Sequence, residues 1–481
     1  MGTAVFKVGI LETHPIQYKV PWFRALHEHP DIDLTVFFCM IPDAAQQGRG
    51  FGVDFEWDIP LLDGYNYRVL ENVARDPGTS HFFGCDTPGI YPIVAGGTDV
   101  ESGQLAGPAN VGSKVESGTS GRQTRDETNN YQRSTNNCRS WSAFIVNGWV
   151  VKSCLQTLLA CRRAGVPCVV RGESNALRPR PWWKGTCHRA LMSQYSAFLS
   201  IGQSNRQFYR QNGVPDEKIF HAPYCVENER FERAAKKAQK RRQELRRQWD
   251  IPEEATCFMF CGKFEPKKRP MDLLRALHHL RCRPTNNFLP SSRNQPPTVN
   301  SELSTTNSQL STINSKSVHL LMVGDGDLRS RCEQYVDAKD LPVTFAGFLN
   351  QSELPAAYAA SDCLVLPSDY GETWGLVVNE AMACGLPAIV SDRVGCYPDL
   401  IAPGRTGEVF GFGEIEELAD KMQQQLDGSG RLATMGEAAK KRVNAYDIST
   451  LVQGTVEAIK YLNSFTVSDS FTEIKSRTVV G

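Results

Sequence analysis

No charge of either sign prevails in this chain of 481 residues: 53 lysines and arginines balance 53 aspartates and glutamates. Without a net field the molecule does not steer itself toward nucleic acid or another acidic polymer, so a charged ligand must be caught by a local site. A Cys-x-x-Cys pair is also missing. The 15 cysteines are odd in number and scattered, with Cys154, Cys161 and Cys168 spaced by seven in apolar surroundings. They read as buried thiols of a reducing compartment, which excludes a disulfide framework or a zinc site. No apolar run approaches the roughly 20 residues of a membrane helix. The opening "MGTAVFKVGILETHPIQY" is interrupted by Glu12 and His14 and has no small-residue cleavage site. It reads as a first strand rather than a leader, and the whole as a soluble cytoplasmic chain.

What is present is a rhythm. Short β-type runs alternate with amphipathic stretches: "VGIL" then "KVPWFRALHEH", "AFIVNGW" then "VKSCLQTLLACRRAG", and again from "TCFMFCGKF" through "VHLLMVGDG" and "CLVLPSD" to "PAIVSD". Apolar runs of four to six residues between such helices indicate parallel sheets covered on both faces. The length calls for at least two domains, and two complete βαβ series supply them. The expected boundaries are 1–230, 231–446 and a return helix with tail over 447–481. Two segments, 86–140 and 283–316, are rich in Gly, Ser and Asn and carry almost no periodicity. They read as disordered insertions. "RFERAAKKAQKRRQELRRQW" holds eight basic residues against one acid from Arg233 to Arg247. It reads as the solvated face of a helix, with docking on an anionic bilayer as the alternative.

The chemistry concentrates in "SDYGETWGLVVNEAMACGLPAIVSD", Ser368 to Asp392. A strand ends at "CLVLPSD", and helical spacing starts at Gly375 and stops at Gly385 with Pro387 beyond. Glu372 lies before the helix, where free backbone N–H groups and the dipole favour an anion, and Gly375 permits close approach of a phosphate. Glu380 lies inside an apolar helix, a costly place for a carboxylate unless something such as a pair of ligand hydroxyls bonds to it. Capping by Glu372 and pairing of Glu380 with a lysine would account for both glutamates without any ligand. A basic cluster follows the first strand of the second series: Lys263 after Gly262, then Lys267, Lys268 and Arg269. At a sheet's carboxyl edge it offers counter-charge to a diphosphate. "VGDGD" lacks the third glycine of a dinucleotide fingerprint and reads as a turn. Trp149, Trp182 and Trp183 fit sugar stacking and core packing equally well.

The segments "GKFEPKK", "VGDGDLR", "VTFAGFLNQSELPAAYAASDCLVLPSDYGETWGLVVNEAMACGLPAIVSD" and "GRTGEVF", in that order, resemble the donor-binding half of a family 4 retaining glycosyltransferase, of the glycogen synthase-like "glycosyl transferases group 1" type. The likeness covers nearly all of Thr256 to Phe410 outside the insertion. It is weaker in "HPIQYKVPWFRAL", "FIVNGW", "RGES" and "APYCVENERF". The implied fold class is α/β, GT-B, with two Rossmann-like doubly wound domains facing a central cleft. The implied activity is metal-independent, retaining transfer of a sugar from a nucleoside-diphosphate sugar to a sugar, lipid-linked or other hydroxyl acceptor, with no cofactor. By position, Glu372 contacts the sugar hydroxyls, with Thr373 in the same turn. The amides of Trp374, Gly375, Leu376 and Val377 hold the distal phosphate, and Glu380 holds the ribose. Lys263 and Lys268 neutralise the leaving diphosphate, and Gly347 and Phe348 frame the base. No convincing Asp-x-Asp metal motif is present, which agrees with that implication.

Departures fall on Lys263, where many relatives carry arginine and its bidentate fork, and on the first half, where the first loop is "ETHPIQYK" rather than glycine-rich. His14 or Asn147 is left to face the donor, and Arg171 and Glu173 of "RGES" are candidates for the acceptor side. A silent nucleotide-sugar-binding subunit and a nucleotide-sugar epimerase on the same fold are the rival expectations. Cytoplasmic placement, with or without peripheral contact at the inner membrane face, completes the expectation, and no nucleic-acid partner is expected.

Overall fold

The computed structural model describes residues 5–96, 140–282, 317–428 and 430–464. Among these, seven parallel strands make a first sheet: β1 (Phe6–Glu12), β2 (Ile32–Phe38), β3 (Tyr67–Val69), β4 (Ala143–Val146), β5 (Cys168–Val170), β6 (Ala197–Ser200) and β7 (Ile219–His221). Their order is β3-β2-β1-β4-β5-β6-β7. Six more form a second parallel sheet: β8 (Thr256–Cys261), β9 (Val318–Val323), β10 (Val343–Gly347), β11 (Cys363–Leu366), β12 (Ala388–Ser391) and β13 (Gly407–Phe410). These run β10-β9-β8-β11-β12-β13. The central strands are apolar throughout because helices cover both faces; β4, β8, β11 and β12 are buried at every residue. In both sheets the winding reverses beside the first strand, between β1 and β4 and between β8 and β11. Such a reversal opens a crevice at the strands' carboxyl ends, where ligands of doubly wound sheets bind.

The chain divides into two compact units, 1–43 with 57–227 and 446–481, and 44–56 with 228–445. The terminal helix Ile448–Ser464 packs on the first sheet, contributing Leu451, Val456 and Ile459 to the cluster that holds Val8, Ile10 and Trp22. A continuous first domain over 1–230 is therefore corrected: residues 44–56 leave the first unit and pack on the second. The reason is aromatic. Phe55 lies against Phe348, with ring centroids 4.2 Å apart, and Phe51 meets both rings.

A second correction concerns the insertion expected over 86–140. Residues 86–96 form an ordered stretch whose helix Ile90–Val94 buries Ile90 and Val94 completely. Asp86 accepts hydrogen bonds from Lys152 (2.6 Å) and Gln156 (2.8 Å). The apolar "IYPIV" is enough to anchor what the composition beyond it obscured. The remainder of that segment apart from Ser140, and all of 283–316, lie outside the described residues, as does 465–481.

The basic stretch after residue 230 is two helices, Asn228–Gln239 and Arg242–Gln248. Arg246 is buried, and Arg242 and Arg246 both pair with Asp362, at 2.7 and 3.4 Å. Asp362 also accepts the Cys257 N–H at 2.8 Å, so these arginines fasten helix to sheet. With its best cations turned inward, this stretch is a poor bilayer-docking face. Of the described cysteines, all but Cys187, Cys282 and Cys384 are buried, and all are free thiols. No helix among the described residues is long and apolar enough to cross a membrane.

Candidate functional site

The crevice between β8 and β11 collects most of the charged residues singled out in the sequence. The loop after β8 turns at Gly262 (φ 149°) and carries Lys263 to Lys268, and the loop after β11 carries Ser368 to Gly375. The loops are tied together by the Asp369 N–H, which donates to the Lys267 carbonyl at 2.8 Å. Between them Lys268 Nζ forms an ion pair with Glu372 Oε2, both side chains about one-seventh exposed. The Ser368 hydroxyl lies 3.4 Å from the same oxygen. Glu372 thus pairs with a lysine contributed by the neighbouring strand's loop, and it leans on a cation that a diphosphate would also seek.

The turn from Glu372 to Gly375 is held from behind. The Gly395 N–H donates to the Glu372 carbonyl (3.1 Å) and the Cys396 N–H to the Trp374 carbonyl (2.9 Å). The approach is so close that a Cβ at Gly395 would stand 1.7 Å from the Thr373 carbonyl oxygen. Trp374 is buried and donates its indole N–H to Asn379 at 2.8 Å. Gly375 has φ 100°, a conformation that side chains other than glycine's resist, and from it the helix Leu376–Ala383 begins. The first-turn amides of Leu376 and Val377 have no partner within the helix, as at every helix start.

Glu380 is buried one turn further on and accepts a hydrogen bond from the Tyr358 hydroxyl at 2.8 Å. Burial lifts its carboxyl to about 7, against the downward pull of the Tyr358 bond and of Arg230 and Lys268. Arg230 in turn grips Gln351 through its carbonyl (3.2 Å) and its amide oxygen (2.8 Å). Nothing in the local pattern around Glu380 marks the Tyr358, Gln351 and Arg230 framework, because these residues come from other segments of the chain.

Lys263 is displaced from this pair toward the 44–56 segment. Its ammonium donates to the Arg49 carbonyl at 2.7 Å and sits 4.4 Å from the centre of the Phe51 ring. Burial lowers its pKa, with Lys267 and Lys268 adding to that fall and Glu265 opposing it. Gly347 (φ 73°) accepts the Gly324 N–H at 2.7 Å, and Phe348 follows it into the aromatic contact with Phe55. "VGDGD" is a turn: Asp325 accepts its neighbour Gly326's N–H, and its carbonyl receives the Phe264 N–H, bracing the Lys263 loop.

The first unit carries its own polar cluster at the ends of β1, β4 and β5. Glu12 and Lys19, both buried, form an ion pair at 2.8 Å, a contact not foreseen from the sequence although the two stand seven residues apart. His14 Nδ1 lies 2.9 Å from the Thr13 hydroxyl, and burial lowers its pKa. Arg171 is buried between the rings of Tyr224 (4.3 Å) and Trp22 (5.3 Å), and Glu173 receives the Tyr224 hydroxyl. Asn147 directly follows β4, with neither of its amide atoms bonded among the described residues. Of the three tryptophans, Trp149 packs over Phe208 and Gly172, whereas Trp182 and Trp183 are exposed. No cluster of three or more His, Cys, Asp or Glu side chains among the described residues has the geometry to hold a metal.

This geometry has relatives. Residues 241–442 match the family Glycosyl transferases group 1. Arabidopsis thaliana sulfoquinovosyl transferase SQD2 is 37% identical over 131 residues, 27% of this chain and 25% of its own. The D-inositol 3-phosphate glycosyltransferase 2 of Catenulispora acidiphila is 29% identical over 255 residues, 53% of each chain. The chain thus spans a quarter to about half the length of these curated relatives. Among solved structures, a glycosyltransferase from Rickettsia africae superposes with a TM-score of 0.62 at 12% identity, over 96% of this chain and all of the other. Anabaena HepE, solved with UDP and glucose, gives 0.58 at 15% identity over 95% and 99%. At such identities the likeness establishes the fold, which is GT-B. The group 1 match covers all the predicted donor residues, from Lys263 to Glu380. His14, Asn147, Arg171 and Glu173 lie outside it.

Proposed function

We propose that this chain is a glycosyltransferase that moves a sugar from a nucleoside-diphosphate sugar to a hydroxyl acceptor, with retention at the anomeric carbon and without a metal. The observation that carries the proposal is the Lys268–Glu372 ion pair at the β8/β11 crevice, with the helix Leu376–Ala383 starting beside it and buried Glu380 further along. Cation, helix N-terminus and second carboxylate fall in the order that phosphate and ribose require in a nucleotide sugar. Lys263, Lys268 and the first-turn amides of Leu376 and Val377 stabilise the diphosphate as the bond from the anomeric carbon to its oxygen breaks. The acceptor hydroxyl bonds to that carbon on the same face and passes its proton to the departing phosphate oxygen. Glu372 orients the sugar hydroxyls, and Gly347 with Phe348 borders the base. On the acceptor side the reading rests on Arg171, Glu173, His14 and Asn147 at the carboxyl edge of the first sheet. Relatives named for transfer to inositol phosphate and malate support small hydroxyl acceptors as the first class to try.

The test incubates the purified full chain with UDP-, GDP- and ADP-sugars, with and without a panel of hydroxyl acceptors, in the presence of a chelator. Acceptor-dependent release of nucleoside diphosphate and an α-linked product from an α-linked donor are expected, with Lys263→Ala slowing turnover far more than it alters the thermal midpoint. Donor binding without turnover would point instead to a silent binding subunit. A changed sugar on an intact nucleotide would point to epimerisation.

A further inference from the structure

One surface of the first unit is unlike the rest of the molecule. From Ser174 to Pro215 the sequence contains no aspartate or glutamate, in a chain whose charges balance overall. The same stretch holds Arg178, Arg180, Lys184, Arg189, Arg206 and Arg210. Arg206 and Arg210 are matched by Asp216 at 2.7 to 3.0 Å. Arg180 donates to the Asn175 and Arg178 carbonyls and lies 4.7 Å from the Phe208 ring. Arg178, Lys184 and Arg189 are exposed and make no ion pair among the described residues.

The helix Trp182–Met192 exposes Lys184 and Arg189 together with two large apolar side chains, and Arg178 lies just before it in the chain. Trp182 is 84% exposed and Trp183 51%, the former the most exposed large apolar residue described. The helix's inner face is spoken for: His188 meets Trp149 and Phe208, and Met192 is buried. Adjacent indoles at a helix start cost solvation and contribute nothing to the core, so packing does not explain them. Lys184 Nζ stands 5.3 Å from the Trp183 ring, placing a cation at the level of the indole. Indole rings with lysine and arginine beside them suit one environment, the boundary between an anionic headgroup layer and the acyl chains.

We propose that the Trp182–Arg189 face is a docking surface for an anionic lipid bilayer. The indoles enter the headgroup boundary while Arg178, Lys184 and Arg189 meet lipid phosphates. A nucleic acid fits less well, because the three unpaired cations of this segment make too short a track to follow its backbone. The surface lies outside the donor residues, so it stands or falls apart from the proposed sugar transfer.

The experiment is co-sedimentation of the full chain with vesicles of phosphatidylcholine alone and of phosphatidylcholine with phosphatidylglycerol. Binding to the anionic vesicles, weak binding to the neutral ones and release by salt are expected. Trp182→Ser with Trp183→Ser, and separately Lys184→Glu with Arg189→Glu, should each lower the partition by about tenfold, since the apolar and charged parts act together. Thermal midpoints check that the variants fold. Failure of the unaltered chain to bind anionic vesicles, or binding unaffected by both variants, overturns the proposal. So does a dimer that the tryptophan variant dissociates, or preferential binding of a single-stranded RNA, since either would give the face another occupant.

Discussion

Glu380 couples the proposed donor site to pH. Its carboxyl, about 7 in the folded chain against an ordinary 4.5, is held neutral by burial. Ribose hydroxyls donate to a carboxylate better than to a carboxylic acid, so a nucleotide should select the ionised form and release a proton on binding. Between pH 6 and pH 8 the ionised fraction rises about tenfold, and the affinity for UDP should rise by the same factor, ~1.4 kcal/mol. Glu380→Gln keeps the shape and the Tyr358 contact but carries no charge. It should bind UDP roughly 10 to 100 times more weakly at pH 8 and lack the part of the pH slope that belongs to this carboxyl, leaving only the titration of UDP itself. Stability moves the other way. Between pH 4.5 and 7 the folded state holds a proton that the unfolded state has lost, so stability falls as pH rises through that window, by up to about 3 kcal/mol, and is level above it. The glutamine variant should not show that fall. Calorimetric titration with UDP at pH 6, 7 and 8, paired with thermal unfolding from pH 4.5 to 8, measures both. Equal pH slopes for the two proteins would refute a ribose contact at Glu380.

Two further outcomes test the frame around the site. Gly395→Ala places a methyl against the Thr373 carbonyl, displacing the turn from Glu372 to Gly375; it should cost about 1–3 kcal/mol and weaken UDP binding, and an unchanged melting temperature and affinity would show that the turn is not braced from behind. Phe55→Ala removes the ring that pins the 44–56 segment to Phe348. Because that segment occupies the Lys263 ammonium with the Arg49 carbonyl, loosening it should tighten UDP binding by about 2- to 10-fold, and weaker binding in the same titration would mean that the segment helps to hold the nucleotide.

The second unit was legible because its chemistry lies in local sequence. Strand, glycine turn, short helix and glycine stop follow one another between Cys363 and Gly385, and the spacing of Glu372 and Glu380 is fixed once that helix forms. The parallel sheets followed from apolar runs too short for helices and buried on both faces. The first unit's site was less legible because its pieces are single residues on separate strands. Nothing in "RGES" shows that Arg171 lies between Trp22 and Tyr224, or that Glu12 is neutralised by Lys19.

The two βαβ series and the apolar strands within them were already written in the local pattern of the chain. Those depend on periodicity and turn chemistry, which act over a few residues. The partners of individual side chains came from the packing of distant segments. That packing turned Arg242 and Arg246 inward to Asp362, sent residues 44–56 to the second unit and left Trp182 and Trp183 outside. A side chain's type sets what contact it needs, and the packing of distant segments decides which neighbour supplies it.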